Sequence, residues 1–159
     1  MNDYEYDAAN RLVSFSNANT TATYRYNGLG DRLEETVDGS NTTTFTMDLN
    51  MGLTQALSDG TNTYIYGNGR IAQVNTDTEY FLGDALGSVR QLTNNTGAIT
   101  YARAYDPYGV VTQTIGSSQS AYAFTGEYSG DSTQLLYLRA RHYAPYSGTG
   151  IWDKSYDRS

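Results

Sequence analysis

The chain has 159 residues, enough for one ordinary domain with its own core and no need of a disulfide or metal staple. Its formal net charge of -7 repels nucleic-acid phosphates and anionic headgroups, and no run of Lys or Arg offsets this locally. With no cysteine there is no thiol nucleophile, Cys-based zinc site or disulfide framework. No apolar stretch approaches the ~20 residues that span a bilayer, and the opening MNDYEYDAANRL lacks the build of a signal peptide. Sixteen Tyr and sixteen Gly against two Pro favour strands and tight turns over helices.

In chain order, similar units succeed one another. YEYDAANRL (4–12) and YRYNGLGDRL (24–33) share Tyr, any residue, Tyr, then Asp or Asn, a turn of small residues, and Arg-Leu. Looser copies stand at 45–53, 64–71, 80–92, 101–111 and 122–128; taking Asp7, Asn27, Asp48, Gly67, Asp84, Asp106 and Gly126 as markers, the spacings are 20, 21, 19, 17, 22 and 20. Tyrosines two apart project from one face of a strand, and the Asp, Asn and Gly beyond them supply Asx-turn and positive-φ chemistry. Tyr6, Tyr26, Tyr66 and Tyr105 are therefore expected at equivalent places beside their turns. In RLEETV (32–37) alternation resumes, with Leu33, Glu35 and Val37 on one side. Second turns at 38–41, 59–62 and 94–97 send the chain back. Residues 47–59 and 84–93 carry apolar residues at near-helical spacing, but their internal glycines favour strand. The units predict an all-β fold, a continuous antiparallel meander of about seven hairpins.

The stretch LLYLRARHYAPYSGTGIWDKS (135–155) gathers arginines, a histidine and an aspartate among aromatics. On a strand, Arg139 and Arg141 would share one face and stack on tyrosines, with Tyr137 and Tyr143 as neighbouring wall, while Leu138, Ala140 and His142 face the other way. His142 is the chain's one histidine, with no partner ligand for a metal, and is expected as a packed ring. DLNMG (48–52) opens like a calcium loop but lacks the Glu that would close it, so it is expected as a turn. No GxSxG elbow is present. Tyrosine rows with Asp, Asn and Thr alongside leave a cell-surface glycan open as a partner; cross-strand ladders are the other reading of the same rows.

The repeats resemble the YD repeats of the RHS family of large secreted bacterial polypeptides, which also resemble part of the teneurins. YFLGDALGSVRQLTNNTGAITYARAYDPYGVV and, after it, FTGEYSGDSTQLLYLRARHYAP are similar to the RHS-associated core segment. The resemblance implies repeats over 1–79, a core-like segment over 80–146 and a tail over 147–159, all in one curled antiparallel sheet with the core segment as plug. In that family the plug is an aspartyl autoprotease. Carried over, its arginine is Arg141 and its glycine Gly148, but Thr149 and Gly150 come next, and Lys154 stands where the aspartate belongs. An ammonium fills neither role of a carboxylate pair, so only a shifted register using Asp153 or Asp157 would restore the acid.

These readings lead to the expectation of a non-enzymatic structural protein, part of an extracellular tyrosine-rich shell, with Tyr6, Tyr26, Tyr66, Tyr105, Tyr137, Arg139, Arg141 and Tyr143 as structural residues. The alternatives are a fibre or adhesin built by edge pairing, and a degenerate autoprotease. No cofactor or metal is expected. The expected partners are further copies of the chain, in an oligomer or filament, or the remainder of a longer RHS polypeptide, without nucleic acid or a membrane span.

Overall fold

A computed structural model describes residues 2–50, 54–130, 132–139 and 141–151. Three antiparallel sheets succeed one another along the chain. The first holds β1 (Asp3–Tyr6), β2 (Leu12–Ser16), β3 (Thr21–Tyr26), β4 (Arg32–Val37) and β5 (Asn41–Thr44). The second holds β6 (Thr46–Asp48), β7 (Gln55–Ser58), β8 (Thr63–Tyr66), β9 (Arg70–Val74), β10 (Thr78–Gly83), β11 (Val89–Thr93), β12 (Ile99–Tyr105) and β13 (Val111–Gly116). A 3-10 turn at Phe124–Gly126 leads to the third, with β14 (Tyr128–Gly130), β15 (Leu135–Tyr137), β16 (His142–Ala144) and β17 (Thr149–Ile151). Every strand pairs with its neighbours in sequence, so each sheet is a meander, and the all-β fold expected from the repeats is the fold observed.

The turns explain the Asp and Asn markers. The Oδ1 atoms of Asp7, Asn27, Asp84, Asn94 and Asp106 each accept backbone N–H groups from the second and fourth residues beyond, at 2.9–3.0 Å. The third residue beyond has positive φ in all five, and it is Asn10, Gly30, Gly87, Gly97 or Gly109. A short side-chain acceptor and a residue tolerant of the left-handed region are what such a turn demands.

Beyond the turn, five hairpins carry a bulge. Tyr6 pairs with Leu12 while Glu5 pairs with Ser14, and the same slip recurs at Tyr26 and Arg32, Tyr66 and Arg70, Gly83 and Val89, and Tyr105 and Val111. The skipped residues are Val13, Leu33, Ile71, Arg90 and Thr112. One extra residue moves the rest of the strand to the opposite face. This corrects the alternation expected for 32–37: Glu35 is buried opposite Tyr24, but Leu33 lies in the bulge, 38% exposed, and Arg32 turns inward.

The meander also divides where continuity was expected. Phe45 separates the first two sheets: its N–H still donates to Leu33 O, while its buried ring meets Tyr128 edge-on at 5.1 Å. The third sheet folds back over the others. Leu135 joins Leu12, Phe15, Ala22 and Tyr24 in one core, and Tyr122 joins Tyr64, Val89, Leu92 and Tyr101 in another. Each such apolar side chain contributes roughly 1.5–3 kcal/mol on burial. The segment after Gly116 is therefore a plug against both inner faces.

Candidate functional site

Arg32 stands where the plug meets the first sheet. It is 2% exposed, and its guanidinium lies 4.2 Å from the ring centre of Tyr137, 4.7 Å from Tyr128, 4.9 Å from Phe45 and 5.5 Å from Tyr24. Glu35, equally buried, approaches it at 3.7 Å, leaving Arg32 Nε and Glu35 Oε1 without hydrogen-bond partners. The Arg32 backbone N–H donates to the Tyr137 hydroxyl at 3.1 Å, tying β4 to β15. His142 completes the cluster, its ring 5.1 Å from Tyr24 and 5.3 Å from Tyr137. Burial, and then the charge of Arg32, bring its pKa down to about 3. Burial likewise pushes the Tyr24, Tyr128 and Tyr137 hydroxyls above their ordinary range. At neutral pH His142 is thus uncharged and too weak a base for proton transfer.

Arg70 repeats the arrangement on the second sheet. It comes after its turn as Arg32 does, lies against the face of Tyr122 and near Phe81, and donates to Gly126 O at 3.1 Å. The two arginines line a shared cavity of about 380 Å3 walled by Phe45, Phe81, Tyr122 and Tyr128. At its rim Arg139 pairs with Glu127 at 2.9 Å. A second cavity, of about 290 Å3, takes Arg139 together with Arg11, Arg141, Tyr26 and His142.

The residues singled out from the sequence are distributed over these features. Tyr6, Tyr26, Tyr66 and Tyr105 each pair across a bulge. The hydroxyls of the last three donate to Leu12 O, Ala56 O and Val89 O at 2.7, 2.8 and 3.0 Å, each in the hairpin before. Tyr137 is buried, and the Tyr143 hydroxyl donates to Tyr108 O at 2.8 Å. Arg139 and Arg141 do not share a strand face, which corrects that expectation. They lie in the tight connection from β15 to β16, closed by the Leu138 N–H on Arg141 O at 2.8 Å, with Arg139 at φ 59°. Asp153 and Asp157 lie outside the described residues. Asp48 Oδ1 accepts the Asn50 N–H in the stretch with the calcium-loop opening, and no three acidic or histidine side chains gather for a metal among the described residues. Arg32 and Arg70 were missed as site residues; their signal was the Arg placed after the turn in the repeats.

No family model matches the chain. Over 157 residues, 91% of the chain, it is 28% identical to the tRNA3(Ser)-specific nuclease WapA of Bacillus spizizenii and to the tRNA nuclease WapA of Bacillus subtilis strain 168. It is 29% identical to the tRNA(Glu)-specific nuclease WapA of Bacillus subtilis subsp. natto. It spans 7% of the length of these relatives. Among solved structures, TcdB2-TccC3 superposes with a TM-score of 0.70 at 18% identity, covering 98% of this chain and 9% of that one. A TcdB2-TccC3-Cdc42 structure gives 0.71 at 18% identity, covering 95% and 9%. The chain has the RHS/YD-type β-sheet fold.

The relatives overturn the expected function. A non-enzymatic structural role, with its fibre, adhesin and autoprotease alternatives, does not fit a chain whose curated relatives are named as tRNA nucleases. The expectation rested on reacting groups within 159 residues, whereas the chain spans only 7% of polypeptides that carry such an activity.

Proposed function

We propose that the chain works as part of a secreted nuclease toxin of the RHS type that cuts tRNA, and that the described residues are a portion of its curled β-shell with the plug that packs into it. The observation that carries this reading is similarity over 91% of the chain to tRNA nucleases, at 28–29% identity. The shared fold with TcdB2-TccC3, and with a segment of a Photorhabdus luminescens Tc holotoxin pore at a TM-score of 0.61, supports the toxin setting. The partner in this reading is the remainder of a longer polypeptide, consistent with the small share of each relative that the chain spans.

Cleavage belongs in this proposal to the polypeptide as a whole. Phosphodiester hydrolysis needs a nucleophile, a base matched to neutral pH and charge stabilisation in one place. Around the plug the described residues supply cations and rings, while their one histidine is held neutral. Inducible expression of the complete gene product in a bacterial host, with tRNA monitored by northern blot, tests the reading. Discrete tRNA fragments and growth arrest are expected. Intact tRNA pools at full induction would overturn it.

A further inference from the structure

The chain has ten Lys or Arg against seventeen Asp or Glu, yet three of the ten, Arg11, Arg139 and Arg141, line the cavity of about 290 Å3. None of the described lining residues is acidic. Gathering like charges around a space costs free energy unless something anionic fills it. Two of the three arginines are held from outside the cavity. Asp7 grips Arg11 at Nε and Nη2, at 2.7 and 2.6 Å, while Arg11 Nη1 donates to Asn27 O; Glu127 holds Arg139.

Arg141 differs from both. It is exposed and makes no ion pair or side-chain hydrogen bond among the described residues, so its forked donors are unspent. A second unspent group lines the same cavity: His142 is 3% exposed, and its Nε2 has no hydrogen-bond partner. A buried polar nitrogen without a partner costs about 1–3 kcal/mol, which a ligand atom at that nitrogen recovers.

We propose that this cavity binds a phosphate dianion, either inorganic phosphate or the terminal group of a small phosphomonoester, between the Arg141 guanidinium and His142 Nε2–H. Phosphate matches the planar guanidinium fork with two oxygens and leaves others for the imidazole, whereas a carboxylate engaged by the fork has no oxygen left for His142. The cavity is near the lower end of the ~300–1,000 Å3 usual for small-ligand sites, and the net charge of -7 opposes a polyanion, so the occupant is small. His142 is an uncharged donor here at neutral pH, and a bound dianion would raise its pKa from about 3. The inference stands independently of the nuclease reading.

His142 is the chain's one histidine, so its ring resonances report on this cavity alone. The purified chain is titrated at pH 7 and constant ionic strength with sodium phosphate, a 5′-mononucleotide or sodium acetate. A saturable shift of the His142 signals with phosphate, the mononucleotide or both is expected, half-complete at about 1 mM or below. The stronger of the two names the source. Arg141→Gln should weaken the response at least about tenfold and Arg141→Lys less, while Arg25→Gln, at a side chain 78% exposed, leaves it unchanged. Absence of a saturable response to both phosphate and the mononucleotide, an equal response in Arg141→Gln, or acetate matching phosphate would each overturn the proposal.

Discussion

Arg32 and Glu35 form a buried pair whose separate and joint removal should differ sharply. Arg32→Met leaves the Glu35 carboxylate buried without its cation and removes the guanidinium from among four rings. Chemical denaturation should show a loss of about 3–5 kcal/mol, and adding Glu35→Leu should restore much of it. A single variant within about 1 kcal/mol of the parent would contradict the central place given to Arg32. His142 predicts a pH response of definite sign. Its pKa is about 3 when folded, below the ordinary 6.5, so the unfolded chain takes up the proton first as pH falls. The stability His142 supplies is complete above pH 6.5 and drains between there and pH 3, by about 1.4 kcal/mol for each pH unit. Subtracting the denaturation curve of His142→Phe from that of the parent isolates this slope from the carboxylates. A difference that stays flat across that interval would place the ring in water. At this scale the sequence was a poor guide. An arginine between Asp31 and Leu33 looks like surface, and only the bulge turns it inward.

Turns were the most legible elements, because their chemistry restricts residue type. An Asx acceptor and, three residues on, a Gly or Asn leave their mark in DAANR, NGLGD and DPYGV alike. Bulges leave none. The skipped residue is Val, Leu, Ile, Arg or Thr with equal ease, so the change of face beyond each turn was invisible. The break at Phe45 was hidden too, since FTMD continues the repeat while its ring turns to the plug. The tyrosine beside the turn joins successive hairpins through its hydroxyl at Tyr26, Tyr66 and Tyr105. Tyr26→Phe should therefore lose the bond to Leu12 O and about 1 kcal/mol, and Tyr26→Ala about 2–4 kcal/mol as its ring is also removed. Equal melting temperatures for parent and Tyr26→Phe would show that the hydroxyl link between hairpins contributes nothing.

As a whole the molecule is two meanders closed by a plug, and its integrity depends on the last described strands. A chain ending at Gln134 should aggregate, because it uncovers Leu12, Phe15 and Tyr24 on the first sheet; a soluble, strand-rich monomer would show the plug to be dispensable. The overall fold was readable because periodic tyrosines and turn residues recur along nearly the whole chain. The activity was not, since it is named for relatives of which this chain matches 7% of the length. The central claim, that the chain serves a tRNA-cutting polypeptide, meets its most direct test in vitro. The complete gene product is purified and incubated with bulk tRNA, and the 5′ and 3′ ends of the products are mapped by sequencing. Cleavage at a fixed position in one or a few tRNA species is the predicted result. Undamaged tRNA after prolonged incubation at equimolar protein would contradict that claim.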